Sequence, residues 1–237
     1  MTNEELASRV KSFRWYHPIN VREGINTTPE NPYPDSWSLI DGNLGTIEFS
    51  GKRVLDVGTR DGKYAFHAER NGATVTAVDN NQSPGAIFLR DLWGSKVDFR
   101  HVSIYSIEKV PTYDVILFFG VLYHLRYPML ALSILSKALH IGGMMYIETS
   151  IYDIPSPFPL LYCPVGRAPY EPTSCSFFNV EGLNVTLNSF GCSVKRYQLQ
   201  VGGHIPPVKR CWFEIEKTSS MDSELMGYWD GLHHFHS

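Results

Sequence analysis

From Arg53 onward, short apolar runs alternate with stretches whose apolar positions recur at helical spacing. That alternation is the pattern of parallel strands joined by crossover helices. Residues 54–57, 74–78, 98–102, 115–119 and 144–148 read as strands, and residues 63–71, 85–92 and 129–139 as helices. Gly72 sits where the first of these helices stops, Pro128 suits the first turn of the third, and Gly142-Gly143 is expected to halt it. Farther on, Asn179 caps a helix running to Phe190, and residues 193–201 and 208–216 form a hairpin expected at one sheet edge. The expected fold is a doubly wound, mostly parallel, seven-stranded α/β sheet, Rossmann-like, closed by an antiparallel hairpin.

Outside that frame the period fades. Residues 4–11 are expected to be helical, and residues 15–37 form an aromatic and Pro-rich stretch that reads as a lid or as packing, with Trp15, Tyr16, Tyr33 and Trp37 as its rings. Residues 154–172 carry six prolines and read as a loop folded over the site. The tail from 219, with His233, His234 and His236, has no period. We therefore expect a lid over 1–50, a core domain over 51–217 with a substrate loop at 151–178, and a tail over 218–237.

With 43% hydrophobic and 19% charged residues and no apolar run near the roughly 20 residues that span a bilayer, the 237-residue chain reads as globular and not membrane-embedded. Its start, Met1-Thr2-Asn3-Glu4-Glu5, lacks the apolar segment of a secretory signal, so a cytoplasmic location is expected. Cys163, Cys175, Cys192 and Cys211 lack the close spacing of zinc ligands and read as free thiols, with no metal site expected. A net charge of −3 disfavours a nucleic-acid partner and points to a small-molecule substrate.

The chemistry concentrates in Val54-Leu55-Asp56-Val57-Gly58-Thr59-Arg60-Asp61-Gly62, a strand, a glycine turn and a helix start. Asp79 ends the next strand, at the spacing where an acid accepts hydrogen bonds from both hydroxyls of a ribose. The acid Asp56 ahead of the turn suits a cationic ligand end better than a phosphate, which favours S-adenosylmethionine over a dinucleotide.

On these residues the chain resembles the class I S-adenosylmethionine-dependent methyltransferases. The resemblance implies cofactor contacts at Asp56, Gly58, Thr59, Arg60 and Gly62 in the first motif, at Asp79 and Asn80, at Ser103 and Ile104 beside the adenine, and at Gly120 beside the reacting centre. Arg60 stands where that family commonly has a second glycine. A narrower likeness, in Gly120-Val121-Leu122-Tyr123-His124, Glu148-Thr149 and Trp15-Tyr16-His17-Pro18-Ile19, is to the group of the tRNA uridine-5-oxyacetic acid carboxymethyltransferase and its smaller relatives. In that enzyme a lysine, a tyrosine and an arginine hold the carboxylate of carboxy-S-adenosylmethionine. Tyr123 and Arg210 match two of these, but residues 26–51 offer no lysine and only Lys52 lies close, so the plain cofactor is expected. Arg210 itself reads as a solvated strand residue.

The sulfonium already activates its methyl group, which leaves positioning and removal of a proton from the acceptor to the protein. His124, His17 and His204 are the candidate bases, because imidazole titrates near neutral pH without tuning. Tyr123 is a candidate substrate or cofactor contact. The expected activity is O-methylation of a small hydroxylated metabolite. The alternatives are methyl or carboxymethyl transfer to a tRNA wobble uridine, and a non-catalytic cofactor-binding protein.

Overall fold

A computed structural model describes residues 1–30, 37–81, 83–110, 112–164, 174–201 and 207–220. The chain runs α1 (Asn3–Lys11), β1 (Asn20–Arg22), β2 (Ile25–Asn26), α2 (Ser38–Asn43), β3 (Arg53–Val57), α3 (Lys63–Arg70), β4 (Thr74–Asp79), α4 (Pro84–Trp93) and β5 (Asp98–His101). It continues with β6 (Tyr113–Phe119), α5 (Pro128–Ala138), β7 (Leu139–Tyr152), β8 (Leu161–Tyr162), β9 (Phe177–Phe178), α6 (Val180–Ser189), β10 (Cys192–Leu199) and β11 (Val208–Lys217).

Seven of these strands form one sheet in the order β10-β11-β7-β6-β3-β4-β5. The strands from β7 to β5 are parallel, and β11 runs antiparallel to both β7 and β10. The chain winds outward through β3, β4 and β5, then returns to lay β6 against the other side of β3. The winding thus reverses between β3 and β6, and the crevice beyond the C-terminal ends of those two strands is where open α/β sheets bind ligands.

Helices cover both faces, so the inner strands are apolar without alternation. On one side Leu55, Val57, Ile116 and Phe118 pack against α5 and α6 through Leu132, Leu135, Leu183 and Leu187. On the other, Val54, Val115 and Leu117 pack against α3 and α4 and against residues of the first 50, among them Leu6, Val10, Trp15, Ile40 and Phe49. The N-terminal segment is therefore part of a core. Its first helix opens on a capping box in which the Thr2 hydroxyl accepts from the Glu5 N–H and the Glu5 carboxylate accepts from the Thr2 N–H.

Two expectations are corrected. The helix expected to run to the glycine pair ends at Ala138, because Leu139 already pairs with Tyr113 as the start of β7. Gly142-Gly143 instead shapes a bend inside β7, where Gly142 has φ +80° and a Cβ on Gly143 would meet the Asp114 carbonyl at 3.0 Å. The Pro-rich stretch also holds regular structure: Leu161 and Tyr162 pair with Phe178 and Phe177. Tyr162 stacks on Tyr152 at 4.4 Å, which ties that stretch to the end of β7. No helix among the described residues is long and apolar enough to cross a membrane.

Candidate functional site

A cavity of about 610 Å³ opens at the reversal point of the sheet. Asp56, Gly58, Arg60, Asp79, Asn80, Ser103, Ile104 and Gly120 line it, as do Tyr16, His17, Trp37, Tyr64, Phe119, His124 and Arg210. Thr59 and Gly62 stay off its wall. Thr59 donates its hydroxyl to the Asp56 carboxylate at 2.7 Å, and Gly62 starts α3 in a left-handed conformation. His204 and the tail histidines lie outside the described residues, as does Tyr33.

Asp56 is 2% exposed at the end of β3 and has no ion pair among the described residues. Burial pushes its carboxyl up to about 7, against the Thr59 hydroxyl, which favours the charged form, and with the Asp79 charge adding to the rise. Asp79 is held open to the cavity by two backbone donors, the N–H groups of Arg60 at 2.9 Å and Asn81 at 2.8 Å.

The turn between these acids is tight. Gly58 donates its N–H to the Val78 carbonyl at 2.8 Å with φ +78°, and a Cβ there would lie 2.2 Å from the Val121 side chain. Gly58→Ala adds left-handed strain and a clash, so we expect a loss of about 2 kcal/mol, read as a Tm lower by about 5 °C in thermal unfolding. Arg60 keeps the left-handed path with φ +51°, the sole non-glycine residue to do so among the described residues. Its guanidinium stands 5.6 Å from the Tyr16 ring centre. The backbone is thus held in a glycine-like turn despite the side chain.

Arg210 is not the solvated residue its strand pattern suggested. It is 7% exposed and its guanidinium forms a paired contact with the Glu148 carboxylate, itself fully buried. It also donates to the Tyr123 hydroxyl at 2.9 Å. Burial pushes the Glu148 carboxyl up while Arg210 pulls it back. β11 is sandwiched between β10 and β7 with both faces covered, so alternation along it does not separate inside from outside. An acid in an otherwise apolar strand, Glu148 after Met144 to Ile147, was the signal that a buried cation had to face it.

His17 and His124 both reach the cavity wall. His124 is half-buried, with its ring 4.2 Å from that of Tyr123. His17 is 5% exposed, and its Nδ1 lies 3.6 Å from the Asp61 carboxylate. Burial lowers the His17 pKa, against the pull of Asp61 in the other direction. Asp61, which motif reading left without a role, accepts from the N–H groups of Tyr16 at 2.5 Å and His17 at 2.9 Å and from the Ser83 hydroxyl at 3.1 Å. It anchors the N-terminal segment over the cavity. Trp15 packs instead of covering: a Cβ on Gly85 would lie 2.6 Å from its ring. Tyr16 and Trp37 line the opening.

A family model described as "Methyltransferase domain" matches residues 39–196, about two thirds of the chain. Among curated proteins, a ubiquinone biosynthesis O-methyltransferase of Dechloromonas aromatica is 29% identical over 140 residues, covering 57% of each chain. A tRNA U34 carboxymethyltransferase of Alteromonas mediterranea is 32% identical over 163 residues, 64% of this chain and 48% of that one. The match thus spans about half the length of these curated relatives. Among solved structures, the N-terminal domain of EvdMO1 with S-adenosylhomocysteine bound superposes with a TM-score of 0.67 at 16% identity, over 92% of this chain and 98% of that one, a likeness of fold.

Proposed function

The chain belongs to the methyltransferase-domain family, as a class I S-adenosylmethionine-dependent methyltransferase, and on that premise we propose that it methylates a small hydroxylated molecule in the cavity at the sheet reversal. One observation carries the reading: Asp56, Gly58, Asp79, Ile104, Gly120 and two histidines line a single cavity. The donor set fits S-adenosylmethionine. Asp56, buried without a cation, suits the ammonium of the methionine end, and Asp79, fixed by two N–H donors, offers its remaining lone pairs to ribose hydroxyls. Ser103 and Ile104 flank the space for the adenine, and Arg60 and Asn80 border it.

When bound, that cofactor supplies an activated methyl group. The protein's own part is to hold the acceptor oxygen in line, exclude water with the Tyr16 and Trp37 rings, and accept the acceptor's proton on a cavity histidine. Tyr123 stays off the cavity wall, buried behind it, where it accepts from Arg210 and packs against His124.

Carboxymethyl transfer is a second reading, favoured by Arg210 on the cavity wall and its hydrogen bond to Tyr123. Glu148 already neutralises that guanidinium and Lys52 is not on the cavity wall, so Arg60, the other cation lining the cavity, is the group left to meet a cofactor carboxylate. Mass spectrometry of nucleosides released from the purified protein separates the two: the carboxylated mass supports the second reading. Calorimetry tests the first. S-adenosylmethionine should bind the wild type, and Asp79→Ala should weaken it roughly 30-fold by removing two hydrogen bonds to a charged acceptor. No binding to the wild type overturns the proposal.

A further inference from the structure

Two buried polar groups with no hydrogen-bond partner, Trp37 Nε1 and Tyr64 Oη, sit on one wall of the cavity together with His17, whose Nδ1 faces the Asp61 carboxylate at 3.6 Å. The His17 ring centre is 5.4 Å from that of Tyr64 and 6.0 Å from that of Trp37. A native fold tolerates few such orphans, because each forfeits its hydration without replacement. The two orphans beside His17 and Asp56 mark a surface completed by a ligand.

The chemistry of the wall restricts that ligand. An indole N–H only donates, so the group before Trp37 must accept a hydrogen bond. Burial and the carboxylates of Asp41, Glu148 and Asp56 hold the Tyr64 phenol well above its usual pKa. The Asp41 and Glu148 carboxylates are paired with Lys63 and Arg210, so Asp56 is the carboxylate that disfavours a ligand carboxylate or phosphate on this wall. A neutral hydroxyl meets both conditions, since it accepts from one neighbour and donates to another.

We infer that the wall of His17, Trp37 and Tyr64 is the acceptor subsite, that it takes a neutral phenol or alcohol, and that His17, oriented by Asp61, is the base for its methylation. The inference rests on the methyltransferase reading above and deepens it. Asp61 is the positioning residue: held by the Tyr16 and His17 N–H groups and the Ser83 hydroxyl, it presents its carboxylate to Nδ1 and leaves Nε2 to take a proton. As the hydroxyl proton passes to His17 Nε2, the acceptor oxygen forms a bond to the methyl carbon. The carbon–sulfur bond breaks with its electron pair on sulfur, giving a neutral thioether and an ether. The imidazolium left behind is balanced by Asp61 and releases its proton to solvent.

The experiment uses the full chain and methyl-labelled S-adenosylmethionine with a panel of neutral phenols and alcohols, matched carboxylates and amines, and bulk tRNA. Transfer to neutral hydroxyls is expected. His17→Asn should lower kcat about 100-fold, at least ten times more than His124→Asn does, with cofactor affinity by calorimetry held within about threefold. Asp61→Asn should lower the pH of half-maximal kcat, because the imidazole loses its carboxylate while Asp41 and Lys63, the other charges acting on it, stay in place. Tyr64→Phe removes an orphan hydroxyl, so it should raise the Tm of the unliganded protein by about 2–4 °C while raising KM for the acceptor. A lowered Tm in Tyr64→Phe, equal losses in the two histidine variants, or transfer confined to amines or tRNA or absent throughout the panel overturns the inference. Failure of the wild type to bind S-adenosylmethionine would instead strike the methyltransferase reading beneath it.

Discussion

Arg210→Ala is expected to lower the Tm by about 10 °C, because it strands a fully buried carboxylate. Glu148 is 0% exposed and Arg210 is its partner across β7 and β11. Removing one member of such a pair costs about 3–5 kcal/mol, most of it the charge left unpaired. The sign with pH follows from Glu148. Burial already raises its pKa, and without Arg210 the rise is larger. The variant's stability is therefore fullest in acid, below the ordinary carboxylate pKa, and falls as pH rises through the raised folded value. Thermal melts from pH 4 to 8 should show the deficit shrinking at low pH. The double variant Glu148→Leu with Arg210→Met should recover most of the loss, since an apolar pair of similar volume carries no desolvation cost. A single variant within about 2 °C of wild type would mean that solvent reaches Glu148.

Asp56→Asn should weaken S-adenosylmethionine binding roughly 100-fold while stabilising the unliganded protein. The carboxyl sits at about 7 because burial opposes its charge. A folded pKa raised above the unfolded value contributes stability below pH 4 that is lost as pH rises through 7. Holding Asp56 ionised at pH 8 costs the empty protein about 4 kcal/mol as an upper bound. The asparagine, still able to accept from Thr59, avoids that cost, so its Tm at pH 8 should exceed wild type by roughly 5 °C. In the wild type a bound ammonium favours the carboxylate, so cofactor binding below pH 7 should release a proton. Affinity should then fall by up to about tenfold per pH unit below 7. Calorimetry in buffers of different ionisation enthalpy reads that proton directly. A pH-independent affinity, or no gain in Tm for Asp56→Asn, would place the cofactor's cation elsewhere.

Both predictions concern buried charges, and the two were unequally visible in the sequence. Asp56 lies in a motif whose parts are neighbours in the chain: the strand that buries it, the glycine turn after it and the helix that follows are all encoded within nine residues. Spacing alone marks it as a ligand candidate, and Asp79 follows as the candidate ribose acid from the length of one strand, helix and strand unit. Alternation along β11 does not reveal that Arg210 is buried, because its partner depends on register between distant strands. Trp212 pairs with Glu148 and Arg210 with Ser150, which sets Arg210 diagonal to Glu148 on one face. A slip of one residue would have turned the guanidinium to the opposite face.

The same division runs through the rest of the molecule. Local period and punctuation in the sequence determined the alternation of strands and helices, the reversal of the winding, the acids and glycine turn of the cofactor half, and the two cavity histidines as candidates. Those signals are short-range, and burial on both faces makes the strands apolar whatever their neighbours. The tertiary structure alone decided that the first 50 residues join the core, that the Gly142-Gly143 pair bends a strand and not a helix end, and that Asp61 stands at His17 from 44 residues away. It alone gathered His17, Trp37 and Tyr64 on one wall. Such groupings depend on how non-adjacent segments dock, and docking is set by the summed packing of the whole core, which no window of sequence contains.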